Sequence, residues 1–299
     1  MRNSEIEGII LAVLSDFWRL TKPRVTLAIF SLFILSIFAS SGGSNFNQIQ
    51  IWQLGIGSII VLVSVAGSNV LNNRVDFDID KVMNRTKHRE IPSGRVSIFA
   101  AQTFGLALIT ISIILALALD YFFLIFLFVG LLSYLIVYTI TLKRHHILNV
   151  LSAGPAVAAP VWIGWVIGRG YLDLAGFLTG ILIMIWGPFH LWSLAAIYSE
   201  DYKRASIPML TSTISSEKSN WFLLLVVVVM STASFLLYFL GYYGIIYLLG
   251  LIFMNSLLLF IASMTVIKST RRYNWLRYKF SAPYMIIILL ITAIDKILI

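Results

Sequence analysis

The chain has 299 residues, 59% of them hydrophobic and only 12% charged; a soluble domain of this length could not hide so much apolar surface and still cover itself with polar groups. At about 20 residues per crossing, the apolar residues suffice for roughly nine transmembrane helices, which excludes a soluble enzyme, a disordered protein and a nucleic-acid-binding module. No cysteine is present, so disulfides, thiol nucleophiles and thiolate metal sites are excluded as well.

Glu5, Glu7 and Asp16 interrupt the first residues, which lack the pattern of a cleaved signal or an Arg-rich transit peptide. Residues 1–24 are read as a cytoplasmic N-terminal segment. Apolar runs then predict spans at 25–41, 51–71, 98–118, 121–140, 148–168, 174–197, 220–240, 243–267 and 282–299. They are long and continuous, not short and alternating, which excludes a β-barrel. The fold class is therefore all-α and polytopic, a single domain over 1–299 with a nine-helix bundle over 25–299.

The loops alternate in character. Segments 2–24, 72–97, 141–147, 198–219 and 268–281 hold 20 of the 22 Lys and Arg, while 42–50, 119–120, 169–173 and 241–242 hold only Arg169. By the positive-inside rule the N-terminus and the basic loops face the cytoplasm and the C-terminus faces out. The net charge of +9 thus orients the chain in a membrane and implies no nucleic-acid partner. The long loops all lie on one side, so the chemistry is expected at the cytoplasmic mouth.

The second span ends in NNRVDFDID, where Asn72, Asp76 and Asp80 recur at i, i+4, i+8 and share one helical face. Three oxygen donors on one stripe suit a hard cation such as Mg²⁺. Asn72 to Asp80 spans about 12 Å of helical rise, so Asn72 and Asp76 can share one ion, with Asp80 holding a second or acting through water. Asp78 points elsewhere on the helix and is expected to pair with an Arg or Lys. The plainer reading of this segment is a solvated helix end. A second acidic patch, Glu200 and Asp201, follows the sixth span. Cations flank both patches: Lys81, Arg85, Lys87, Arg89 and Arg95 after the first, Lys203 and Arg204 after the second. Carboxylates that hold Mg²⁺ beside Arg and Lys are what a diphosphate requires.

At these residues the sequence resembles the UbiA superfamily of intramembrane prenyltransferases, and most closely its protohaem IX farnesyltransferase branch. Asn72, Asp76 and Asp80 meet the N-x-x-x-D-x-x-x-D motif. The branch-level likeness adds Asp78 and Ile79, Met83-x-Arg85-Thr86, Arg89-x-x-Pro92-x-Gly94-Arg95 and Thr21–Val25. It continues with Tyr138, Leu142–Arg144, Asn149, Trp186-x-Pro188-x-His190-x-Trp192 and Glu200–Leu210. Ile197 stands where the wider superfamily begins a second D-x-x-x-D, and Glu200-Asp201-Tyr202 is the branch's own version.

The resemblance implies nine helices around a central cavity in a prokaryotic plasma membrane, with the carboxylates at its cytoplasmic mouth. It implies Mg²⁺ as cofactor, and transfer of farnesyl from farnesyl diphosphate to a vinyl group of haem B to give haem O. Downstream partners would be a haem-modifying enzyme or haem-copper oxidase assembly. Carried over residue by residue, Asp76, Asp80 and Asp201 would be catalytic, and Asn72, Asp76, Asp80, Glu200 and Asp201 would hold metal. Lys81, Arg85, Arg89, Lys143, Arg144, Lys203 and Arg204 would hold diphosphate. The acceptor site would draw on His190, Lys22, Arg24, Trp192 and Tyr138.

Each assignment has a plainer counterpart. His190 reads as a core histidine bonded to a neighbouring helix, or as a contact to haem through its iron or a propionate. Lys22 and Arg24 read as interface anchors or as contacts to a substrate phosphate or a haem propionate, and Tyr134 and Tyr138 as an aromatic belt or a prenyl-site wall. Gly154, Pro155, Pro160 and Gly164 read as a small face for close helix packing. Two other functions fit less well: the same prenyl chemistry with a quinone-precursor or lipid acceptor, and a cation transporter. The second suffers because transporter carboxylates sit near the bilayer midplane, whereas these lie at helix ends.

Overall fold

The structure is a computed structural model that describes residues 2–42 and 50–298; most of the outer loop expected at 42–50, and the last residue of the ninth expected span, lie outside them. Among the described residues nine helices are long and apolar enough to cross a membrane. They are α2 (Pro23–Ser41), α3 (Ile51–Val75), α5 (Ile98–Leu119), α6 (Tyr121–Leu131, continued by a π-helical turn over Leu132–Leu142), α7 (Gly154–Arg169, entered through a 3₁₀ turn over Asn149–Ala153), α8 (Leu174–Ile197), α11 (Ser216–Phe239), α12 (Ile245–Lys268) and α13 (Arg271–Leu298). Four shorter or flanking helices lie at the ends of these spans: α1 (Arg2–Leu20), α4 (Phe77–Val82), α9 (Ser199–Arg204) and α10 (Leu210–Thr213).

Neighbours in sequence pack as neighbours in space, and α13 returns to pack on α2, which closes the bundle into a ring. Helix α7 packs closely against α2. A Cβ placed on Gly164 would lie 2.1 Å from Ser36 Oγ and 2.4 Å from the Phe33 carbonyl, and one on Gly168 would meet Ser40 and Ile37 in the same way. Lipid gives helices no hydrophobic reason to associate, so small residues that admit close backbone approach carry the packing. Of the small face read in the fifth span, Gly164 is seated on α2, whereas Gly154 faces Met184 of α8.

Three acidic residues outside the two patches, Asp120, Asp173 and Asp295, are helix caps. Asp120 accepts from the Phe122 amide at the start of α6, and Asp173 accepts from Gly176 N–H at the start of α8. Asp295, buried near the end of α13, accepts from the Gly244 and Tyr247 amides and so caps α12 from a different helix. Each satisfies amides that a helix start leaves unpaired, with the charge at the positive end of the dipole.

Two boundaries differ from the sequence reading. The N-terminal segment is a helix, α1, whose Ile6, Ile9, Ile10, Leu14 and Trp18 are exposed while Leu20 is buried. The stretch 268–281, read as a basic loop, is mostly helical: Ser269 in a left-handed conformation (φ 41) ends α12, and α13 begins at Arg271. Its cations end the hydropathic run, yet Arg277 is fully buried, where it donates to Asn220 Oδ1 at 3.0 Å and Thr265 Oγ1 at 2.8 Å. Trp275 and Tyr278 on this extension face other aromatic residues at the same end of the bundle.

Candidate active site

The site forms where the basic loops meet the helix ends. Helix α3 does not run straight through the acidic motif: it ends at Asp76 (φ −87, ψ 5), and α4 restarts at Phe77. Arg144 donates to the Val75 carbonyl at 3.0 Å, and a side chain that takes a carbonyl from the helical ladder is a recognised cause of such breaks. The stripe expected for Asn72, Asp76 and Asp80 is therefore split. Asn72 Nδ2 donates to Asp76 Oδ2 at 2.9 Å, while Asp80 turns to Arg89 at 2.8 Å. Arg89 also reaches Asn73 Oδ1 at 3.3 Å. Asp78 pairs with Arg144 through two bonds of 2.7 and 2.8 Å, as its place on the helix suggested, and that bond holds its carboxyl below the usual range.

Two lysines close on the Asn72–Asp76 pair from other elements. Lys143 follows the π-helical end of α6 and bonds Asp76 Oδ2. In that widened register the Lys143 amide donates to Tyr138 O, five residues back, an irregularity frequent at functional sites. Thr139, in the same turn, accepts from Asn72 Nδ2 at 3.2 Å. Burial works against the charge of Lys143, but Asp76 beside it raises its pKa above the ordinary value. Lys22 stands between α1 and α2 with φ 50, a conformation that costs a non-glycine residue about 1–2 kcal/mol. It donates from Nζ to Asn72 Oδ1 at 3.0 Å. Burial, with Arg89 nearby, lowers the Lys22 ammonium to about 7 against the opposing pull of Asp76.

Asp76 is 2% exposed, and its Oδ1 has no hydrogen-bond partner among the described residues. A buried carboxylate oxygen left bare beside two lysines is the least satisfied acceptor in the site. The other amides of this stretch are structural. Asn69 Nδ2 bonds the Thr21 carbonyl and Thr26 Oγ1, and Asn73 Nδ2 bonds the Leu20 carbonyl. Together they pin the α1–α2 turn that presents Lys22. Their i, i+4 spacing beside Asn72–Asp76 was the sequence signal, and the motif-based reading passed over it.

The second acidic patch joins the first through the loop after α4. Asp201 is buried and accepts from the Asn84 and Arg85 amides, both at 3.1 Å, and from Arg204 at 3.3 Å. Asn84, Arg85, Ile197, Tyr198, Glu200 and Asp201 line a cleft of about 360 Å³. The Arg85 guanidinium lies 5.3 Å from the centre of the Tyr198 ring, within cation–π range.

On the acceptor side, His190 contacts α13. Its Nδ1 is 2.7 Å from Ser281 Oγ, and its ring stacks with Trp186 at 5.5 Å and Tyr278 at 4.9 Å. Tyr138 is buried, stacked on Tyr134 at 5.8 Å, with Lys143 Nζ 5.7 Å from its centre. Trp192 is buried edge-on to Phe222.

The structure thus brings together Lys22, Asn72, Asp76, Tyr138 and Lys143, with Asp80–Arg89 next to them through Asn73 and Arg85–Asp201 across the loop after α4. It leaves others apart. Arg24 is exposed with no bond among the described residues, and Lys81 rests on Phe77. Glu200 and Lys203 form an exposed pair at 3.2 Å. Among the described residues no three His, Asp or Glu side chains form a ready metal cage. Of the five residues expected to hold metal, Asn72 bonds Asp76, Asp80 pairs with Arg89, Asp201 accepts from the Asn84 and Arg85 amides, and Glu200 pairs with Lys203.

The UbiA prenyltransferase family pattern matches residues 27–285. A curated relative from Cenarchaeum symbiosum, Protoheme IX farnesyltransferase 1, is 33% identical over 94% of this chain and 95% of its own length. A Protoheme IX farnesyltransferase from Desulforudis audaxviator is 32% identical over 92% and 86%. Among solved structures, a digeranylgeranylglyceryl phosphate synthase superposes with a TM-score of 0.78 at 20% identity, covering 96% of this chain and 99% of that one. A UbiA homologue from Archaeoglobus fulgidus bound to DMAPP and Mg²⁺ does so with 0.68 at 13% identity, covering 92% and 99%; these likenesses concern the fold.

Proposed function

The chain belongs to the UbiA prenyltransferase family and is an integral membrane prenyltransferase; from that premise we propose that it transfers farnesyl from farnesyl diphosphate to a vinyl group of haem B, giving haem O. The acceptor is inferred from relatives that carry the name protoheme IX farnesyltransferase over nearly their whole length. The observation that carries the donor half is the buried Asn72–Asp76 pair, with Asp76 Oδ1 unpartnered and Lys22 and Lys143 against it.

This oxygen-only donor set fits Mg²⁺, and Asn72 and Asp76 would hold it, with Asp80 and Asp201 completing the acidic rim. When bound, the ion would neutralise charge on the diphosphate as the allylic C–O bond ionises. The chain's own groups do the rest. Lys143, paired with Asp76, and Lys22, bonded to Asn72, would hold the diphosphate, and Arg89 and Arg85 would face it from the loop after α4. Asp80 holds Arg89, and Asp201 holds the backbone that carries Arg85. The apolar interior keeps water from the allylic cation until it meets the haem vinyl group; the diphosphate leaves, and water adds to the resulting carbocation with loss of a proton, giving a hydroxyethylfarnesyl side chain.

His190, Trp192 and Tyr138 are the acceptor-side candidates. By the charge asymmetry of the loops this mouth faces the cytoplasm, in the plasma membrane of a prokaryote. The product would pass to a haem-modifying enzyme or to haem-copper oxidase assembly. The test is turnover by purified protein with Mg²⁺, haem B and farnesyl diphosphate. A heavier, more apolar haem is expected; no haem product together with prenylation of 4-hydroxybenzoate would reject the acceptor.

A further inference from the structure

The hydrogen bonds around His190 assign its tautomer. Ser281 Oγ has one proton and lies 2.7 Å from the Tyr278 carbonyl and 2.7 Å from His190 Nδ1. A carbonyl can only accept, so both contacts are hydrogen bonds at once only when the hydroxyl proton goes to Tyr278 O. The contact with His190 is then a bond in which Nδ1–H donates to Ser281 Oγ. In a neutral imidazole this leaves the proton on Nδ1 and a lone pair on Nε2, and no hydrogen bond to Nε2 is formed among the described residues. The ring is also held in orientation. Trp186 donates from Nε1 to the Ser281 carbonyl at 2.6 Å, and both Trp186 and Tyr278 stack with the imidazole within 25° of parallel.

We propose that Ser281, Trp186 and Tyr278 are positioning residues that lock His190 as the Nδ1–H tautomer, so that its Nε2 lone pair ligates the iron of the planar acceptor. The tautomer decides between the two haem contacts open to this residue. A propionate is an acceptor and needs an N–H, whereas iron needs a lone pair. A donor bond from the far ring nitrogen is also the usual support for a metal-bound histidine. The position suits the chemistry as well. Aromatic contacts run from Tyr278 to Trp275 at 5.9 Å, to Tyr198 at 6.0 Å, and on to Arg85 at the cleft. The ligand therefore stands at the same mouth as the prenyl diphosphate. Tyr278 and Ser281 come from the stretch read in the sequence as a basic loop.

This inference rests on haem as acceptor, and its test separates the two. Ferric and ferrous haem B are titrated into the purified full chain and followed by absorption, electron paramagnetic resonance and resonance Raman spectra. Wild type is expected to give a histidine-ligated haem. His190→Ala should lose that signature, and free imidazole should restore it, which also shows that the variant is folded. Ser281→Ala should weaken haem affinity about 10-fold and lower the iron–histidine stretching frequency, and Ser281→Thr, which keeps the hydroxyl, should recover both. Haem bound with no histidine ligand, or an unchanged spectrum in His190→Ala, overturns the ligand and leaves the acceptor standing. An unchanged stretching frequency in Ser281→Ala overturns the tautomer lock. Absence of haem binding with turnover of 4-hydroxybenzoate overturns both.

Discussion

Replacing Asp76 by Asn changes no heavy-atom count and little volume, yet the structure assigns it a specific consequence. Asp76 Oδ2 accepts from both Asn72 Nδ2 and Lys143 Nζ, whereas Oδ1 has no partner among the described residues. In the variant, an NH₂ at the Oδ2 position would face two donors. The amide oxygen must take that position, and the NH₂ falls where the free acceptor was. The one oxygen available to a cation thereby becomes a donor, and the site loses a negative charge beside Lys22 and Lys143. Weakening the charge-assisted bonds costs about 1.5–3 kcal/mol of stability, too little to unfold a protein of ordinary stability. A lost electrostatic stabiliser of the ionising bond lowers turnover by about 10²–10³-fold, or roughly 2.7–4 kcal/mol of barrier. The assay is haem-product formation by chromatography and mass, alongside a melting curve in detergent. Activity within threefold of wild type, or wild-type activity unaffected by metal chelation, would refute the reasoning.

Asp201→Ala removes the acceptor for the Asn84 and Arg85 amides and should raise KM for the prenyl diphosphate, with faster proteolysis between residues 84 and 95; unchanged cleavage would count against an anchoring role. Gly164→Ala sets a methyl 2.1 Å from Ser36 Oγ and should cost about 1–3 kcal/mol through overpacking. Gly55→Ala, with nothing within 4 Å, should leave the melting temperature unchanged or slightly raised, and equal melting of the two variants would contradict the packing of α7 on α2. Asp295→Ala should destabilise the chain by about 0.5–2 kcal/mol through loss of the α12 cap while leaving KM for both substrates unchanged; a stability equal to wild type would show that the Gly244 and Tyr247 amides do not depend on it.

The spans and the acidic motifs were legible in the sequence because they rest on local quantities. Hydropathy over about 20 residues reports the cost of placing a segment in lipid, and it located eight of the nine span starts to within a few residues. The ninth differed because the stretch 271–281 is helical and aromatic yet carries four cations, of which the buried Arg277 bonds Asn220 and Thr265 on other helices. Residue identity likewise marked Asn72, Asp76 and Lys143 as site candidates and Asp78 as an ion-pair partner.

What belonged to the tertiary structure alone was who pairs with whom. Periodicity placed Asn72, Asp76 and Asp80 on one stripe of a straight helix, but a guanidinium from a distant loop breaks that helix at Asp76 and leaves Asp80 to Arg89. Asp201 accepts from the Asn84 and Arg85 amides, partners more than 100 residues away in the chain. Ser281, 91 residues from His190, assigns its proton. The sequence alone determined that this is a polytopic helical membrane protein with acidic and basic groups gathered at one mouth. The tertiary structure decided which carboxylate oxygen is free and which imidazole nitrogen carries the lone pair, because a hydrogen bond depends on distance and direction between groups that the chain order does not bring together.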